Sequence, residues 1–339
     1  MDSAGLLVIA LRDTLLAGRA DGDGVTLAER LEGKRPTGLA ADPLRPGRIY
    51  CGTSDHGLWV SDDAGEEWRS AGGDIAERRI TAVAVATGEA SDGPGVLYVG
   101  TEPSALYRSA DGGESCERMR GLETLPSAST WSFPPRPETH HIRWIQPDPH
   151  QPGRLFVCIE AGALVRSDDG GRTWADRVPG GPYDTHTLAV HPSTAGRLYS
   201  AAGDGYFESD DAGASWRQFE TGLRYHYLFG VAVDPADPDT VLVSAAPSPF
   251  VAYNAARAES MVYRRSGGGD WEPVGEGLPQ GEGTTVSVLV STGPGEFWAA
   301  NNRGVYRSTD AGRRWEHVPL DWPSAYTRRD VVAFLVSPT

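Results

Sequence analysis

The chain has 339 residues with Gly 42, Pro 25 and Trp 10, and Lys+Arg 31 against Asp+Glu 46 gives a net charge of −15. A surface of that sign repels phosphate backbones and anionic lipid, which sets aside generic nucleic-acid or membrane-surface binding. Three cysteines, Cys51, Cys116 and Cys158, show no metal-ligand spacing and are odd in number, so no full disulfide framework is expected; Cys51 and Cys158 fall in apolar strand patterns and read as small buried hydrophobes.

Taken from the N-terminus, the first apolar run is 6–11, with Asp2 before it and Arg12-Asp13 directly after. It is too short and wrongly flanked for a signal peptide or membrane span, and the expectation is a soluble, cytoplasmic protein. Next comes a unit of four predicted strands: 37–43 (TGLAADP) innermost, 49–54, 57–61, and a fourth near 68–70. Later inner strands are recognisable at 80–86, 142–149, 187–192, 230–235 and 286–292.

Between the third and fourth strand of each unit one short phrase returns: SDDAGEEW, SADGGESC, SDDGGRTW, SDDAGASW, the eroded SGGGDW, and STDAGRRW. The copies begin at 61, 109, 167, 209, 266 and 308, which puts them 42 to 58 residues apart. A period in that range with β-type residues on both sides signals a propeller blade array. Ser and Asp side chains can bond turn amides, Gly supplies positive φ, and Trp can pack between sheets, so the phrase reads as structural. The second and fifth copies depart from it, Cys116 replacing Trp and Ser266 lacking the Asp two positions on, and should form less rigid turns. Six copies give six blades over about 34–322. The leftover pieces, 6–31 at one end and 331–338 at the other, would make a seventh blade together, closing the ring and removing open sheet edges. The expectation is therefore an all-β, seven-bladed propeller of four-stranded blades, one domain over 1–339.

The pattern Ser-x-Asp-x-Gly-x-x-Trp resembles the Asp box, or BNR repeat, of sialidases, sortilin-type receptors, xyloglucanases and photosystem II assembly factors. Resemblance to sialidases implies an arginine clamp on a carboxylate, for which Arg35, Arg79 and Arg329 come from adjacent blades. Resemblance to single-propeller assembly factors implies a protein partner instead.

Residues just before each inner strand are expected at the mouth of the central channel. They are Lys34 and Arg35; Arg78 and Arg79; His140, His141 and Arg143; Asp184 and His186; Tyr225, His226 and Tyr227; Thr284; and Arg328 and Arg329. This concentration of positive charge reads either as an anion trap or as rim ion pairs. Two insertions, 122–140 with Trp131 and Phe133 and 246–260 with Phe250 and Tyr253, fall on the same face, as an aromatic lid or as packed decoration. Candidate catalytic groups are His141, His186, Asp184 and Tyr225. Candidate ligand-binding groups are Arg35, Arg79, Arg143, His226, Arg329, Trp131 and Tyr253. His141, His186 and Glu160 are candidate ligands for a divalent transition metal. Two functions follow: a site for an anionic or sugar-like small molecule, hydrolysed or eliminated there if the protein is an enzyme, or a non-catalytic scaffold whose same face docks a protein.

Overall fold

The computed structural model describes residues 5–21, 24–88 and 93–337; Asp2 and Pro338, which figure in the reading above, lie outside them. Seven antiparallel sheets follow one another along the chain. Their innermost strands are Pro36–Ala41, Arg79–Ala86, Ile142–Pro147, Thr185–Val190, Tyr227–Asp234, Val288–Gly293 and Val331–Ser337. Each packs against the innermost strands of the sheets on both sides, and the last returns to the first. The result is a seven-bladed β-propeller.

The seventh blade is built from both ends of the sequence. Val331–Ser337 pairs with Leu6–Leu11, which continues through Leu15–Asp21 to Gly24–Arg30. Leu7, Ile9 and Leu11 are fully buried on one face of this sheet, packed with Trp298 and Val305 of the sixth blade. The alternate residues Val8 and Ala10 pack toward the first blade, where they meet Ile49. A strand buried on both faces is a continuous apolar run, which is why LLVIAL imitates a membrane segment in composition.

Two blades depart from four strands. The third has three, with a single bridge between Arg166 and Ala175 in place of the fourth. Just beyond that bridge Asp176 turns away to accept hydrogen bonds from the Ser127 N–H (2.8 Å) and hydroxyl (2.5 Å). The chain is thereby tied to the first insertion instead of running on along the sheet. In the fifth blade Gly281–Glu282 adds a short extra pairing to Glu259–Arg265.

The repeated turns consume their own polar groups. In the first copy the Ser61 hydroxyl donates to Asp63 Oδ1 (2.7 Å) and accepts from the Gly65 N–H (2.8 Å), while Asp63 Oδ1 accepts from the Glu67 N–H (2.9 Å). The Trp68 indole N–H donates to the Gly65 carbonyl (3.0 Å). Ala64 and Gly65 both take left-handed backbone, at φ 65° and 92°, and the Ala64 N–H docks on the Gly47 carbonyl in the turn between the first and second strands (2.8 Å). The copies at Ser109, Ser167, Ser209 and Ser308 repeat the Ser–Asp and Ser–Gly bonds. Replacement of Trp by Cys116 therefore leaves the second turn's Ser–Asp and Ser–Gly bonds in place without the indole bond; in the fifth, a Gly269 N–H to Ser266 carbonyl bond (3.1 Å) and an Arg265 Nε–H to Gly269 carbonyl bond (3.0 Å) close the loop.

Candidate functional site at the channel mouth

Inner strands do not enter the ring in simple register. In six of them the ladder skips one residue near the start: Thr37, Thr81, Arg143, His186, Phe229 and Val332. A bulge of this kind re-aims one side chain out of the alternation. Thr37, Thr81, Arg143, Phe229 and Val332 all line a cavity of about 380 Å³ at the channel mouth, and His186 lies in the wall beside it. The mouth is thus lined from the second or third residue of the strands as much as from the residues before them, a signal visible in the sequence once the inner strands are aligned.

Five arginines (Arg12, Arg35, Arg79, Arg136, Arg143) and three carboxylates (Glu102, Glu160, Asp330) line this cavity. Most of the cations are engaged. Arg12 grips Asp330 through both nitrogens (2.8 and 2.5 Å) and Arg136 grips Glu102 likewise (3.0 and 2.7 Å). Arg79 stands 3.7 Å from Glu102, Arg35 3.3 Å from Asp55, and Arg143 3.4 Å from Glu160. The rim is a lattice of ion pairs with a residual positive excess. Arg12, Glu102, Arg136 and Asp330 were not singled out from sequence, because their pairing joins segments far apart in the chain.

Both insertions reach this cavity. The first brings Phe133, edge-on to the His141 ring at 4.8 Å, with the Arg136 guanidinium over its face at 4.9 Å. The second brings Tyr253, whose hydroxyl meets that of Tyr227 at 2.7 Å. Burial, with the neighbouring Glu160 and Asp184 charges, pushes both phenols far above their ordinary range. Arg143 lies over the Phe229 ring at 5.2 Å.

Behind the rim the third and fourth blades meet in a polar cluster. Glu160 sits in the turn after Leu155–Ile159, and its Oε2 accepts from His141 Nε2 at 2.8 Å. Burial opposes ionisation of Glu160, but the His141 hydrogen bond, together with the neighbouring His186 ring and the Arg143 charge, outweighs it and holds the carboxyl at about 2. Asp184 precedes Thr185–Val190; burial and repulsion from Glu160 and Asp204 raise its proton affinity, against His186 and the Ala161 N–H that bonds Oδ1 at 2.7 Å. His186 is fully buried, with Nδ1 2.6 Å from the Leu228 carbonyl and its ring 4.8 Å from that of Tyr227. Donor atoms of Glu160, Asp184 and His186 lie within 4.8 Å of one another. Asp184, rather than His141, completes the group that could hold a metal ion.

Four candidate residues stand apart. Tyr225 is buried in the fifth blade's core with its hydroxyl on Glu259, and Tyr227, two residues on, is the one that meets His186. His226 is exposed beside Glu220 (3.3 Å). Trp131 is no lid: it packs in the core around the third blade, its indole N–H on the Ser127 hydroxyl (3.1 Å). Arg329 pairs with Asp13 (3.0 Å) and lines an adjoining cavity that shares Arg12, Tyr253 and Asp330 with the first, so it does not line the same cavity as Arg35 and Arg79.

The fold and mouth define a seven-bladed propeller with a polar cavity at the channel mouth, and comparison with known proteins places it beside others of that architecture. No family model matches the chain. It is 27% identical over 281 residues to a probable oligoxyloglucan-reducing end-specific xyloglucanase of Neosartorya fischeri, covering 78% of this chain and 31% of that protein. It is 24% identical over 262 residues to the xyloglucanase Xgh74A of Acetivibrio thermocellus, covering 66% and 30%. The chain thus spans less than a third of the length of these curated relatives. Among solved structures it resembles the GH74 xyloglucanase of Xanthomonas campestris (TM-score 0.63, 17% identity, 94% of this chain and 55% of that one). It also resembles YCF48 bound to a D1 peptide (TM-score 0.58, 16% identity, 83% and 80%).

Proposed function

We propose that the channel mouth binds a sugar-like ligand carrying an anionic group and that the protein cleaves it by hydrolysis. The observation that carries this reading is the wall itself, in which arginine donors and carboxylate acceptors stand together with Phe133, Phe229 and Tyr253. A sugar presents hydroxyls that donate and accept together with an apolar C–H face, and it needs such a surface. The excess of arginine over carboxylate suits a uronate or other acidic substituent. Glu160, held ionised on the cavity wall, serves as a hydrogen-bond acceptor for ligand hydroxyls. Similarity to xyloglucanases supports the hydrolytic class, and the repeated turns, which we read as Asp boxes, support the blades without touching ligand.

The reading is tested by calorimetry and reducing-end release with neutral and uronate-containing oligosaccharides, xyloglucan fragments included. Arg143→Ala, which removes the cation from the bulge, is expected to weaken binding about tenfold or more, the equivalent of one charged hydrogen bond. Binding that ignores this substitution would refute it. A second reading, docking of an extended peptide on the same rim, is favoured by one observation: the likeness to YCF48 spans four fifths of that chain, where the likeness to the Xanthomonas xyloglucanase spans 55%. Failure of every glycan together with capture of an acidic peptide would replace the first reading by the second.

A further inference from the structure

We propose that Glu160, Asp184 and His186 form a binding site for one divalent first-row transition-metal ion, in the wall between the third and fourth blades.

The imidazole provides the leading observation. His186 is 0% exposed and its Nδ1 is 2.6 Å from the Leu228 carbonyl oxygen, which can only accept, so Nδ1 carries the proton. In the neutral ring Nε2 then presents a lone pair, and Nε2 is buried without a hydrogen-bond partner. An orphaned ring nitrogen in a packed interior is costly unless something binds it. It faces Asp184 Oδ2 at 3.7 Å, too long for a hydrogen bond. For this pair the spacing suits two ligands sharing one ion, since tetrahedral bonds of ~2.0–2.1 Å place neighbouring donors roughly 3.4 Å apart, and the full set, spread over up to 4.8 Å, must draw in on binding.

The two carboxylates are held for the same purpose. Asp184 Oδ1 is fixed by the Ala161 N–H (2.7 Å), and Oδ2 is the oxygen beside the imidazole. Glu160 is oriented through Oε2 by His141 and Arg143. All three ligands therefore have the outer partners that metal ligands require: a carbonyl behind the histidine and donors behind the carboxylates. Gly203 keeps the space clear, for a Cβ there would collide with Asp184 Oδ2 and approach His186 Cε1 to 3.3 Å. Two neighbouring carboxylates and a neutral imidazole form a donor set that a dication compensates, and one nitrogen with two oxygens suits zinc, manganese or iron(II). His141 falls outside the set: its Nε2 is spent on Glu160, and its donor atoms are not among those gathered within 4.8 Å.

The site is tested on the 339-residue chain made without a histidine tag, stripped with chelator and titrated with Co²⁺. One equivalent should bind with visible d–d absorption, displaced by Zn²⁺, and His186→Ala should weaken binding by about 100-fold or more. Asp184→Asn, at a half-buried position, gives the same result should His186→Ala fail to fold, and His226→Ala, outside the cluster, leaves binding unchanged. Absence of Co²⁺ binding, or binding that survives Asp184→Asn, overturns the proposal. The titration contains no glycan and the glycan test leaves these ligands intact, so the two readings fail separately.

Discussion

Gly203 and Asp184 face each other across the entry to the fourth blade: the Gly203 N–H donates to the Asp184 carbonyl (2.8 Å), and the Asp184 carboxylate occupies the space a side chain at 203 would need. Gly203→Ala therefore strikes the site through geometry alone, since this glycine does not have the positive φ that would forbid alanine. The expected outcome is a stability loss of about 1–3 kcal/mol in urea denaturation, with displacement of the Asp184 carboxylate and loss of Co²⁺ binding. A variant as stable as the parent that binds Co²⁺ normally would show that the carboxylate has another resting place.

The blades were legible in the sequence because their turns are local. Ser61, Asp63, Gly65 and Trp68 bond one another within eight residues, so the pattern of residue types is itself the structure. The site was legible only in part, because its contacts are not local. Arg136 finds Glu102 and Asp184 finds the Ala161 N–H across long stretches of chain that no spacing encodes. Bulges did the rest: alternation read from the strand start leaves Arg143, His186 and Phe229 a residue out of phase with where the ladder puts them. Trp131 misled because a large aromatic in an insertion reads equally as a lid or as an anchor in the core, and here it is the anchor.

Asp111 marks how the turns respond to acid. Its carboxylate accepts from the Ser115 hydroxyl (2.5 Å) and N–H (3.0 Å) and from Ser109, and these bonds hold it at about 2. Unfolded aspartate titrates near ~3.9, so the contribution to stability is complete above about pH 4 and disappears as pH falls toward 2. Asp63, Asp169, Asp211 and Asp310 shift the same way. Urea midpoints should drop over this window, and Asp111→Ala, costing about 1 kcal/mol at neutral pH, should flatten the drop. A pH profile unchanged by the substitution would contradict this.

Glu208 is 2% exposed and takes hydrogen bonds from Arg197 (2.7 Å), Arg265 (2.6 Å) and the Tyr206 hydroxyl (2.8 Å). Because the two guanidiniums belong to the fourth and fifth blades, this carboxylate clasps adjacent blades together. Glu208→Ala strands Arg265 in the interior, while Arg197 keeps Asp210 (2.5 Å), and should cost about 3–5 kcal/mol by chemical denaturation. Adding Arg265→Met should recover part of the loss, because the burden is the unpaired charge; a double variant no better than the single would exclude that cause.

The pairing of Leu6–Leu11 with Val331–Ser337 has a temporal side. Strands that leave the ribosome first wait, with one edge bare, for a partner from the opposite end of the sequence, and none of the six blades made in between can supply it. The strand pairing that spans the longest stretch of sequence is thus also the one that locks the ring. Until then the apolar run at 6–11 is an open template for any passing strand, which makes the interval between first and last strand the moment at which this protein is most exposed to misassembly.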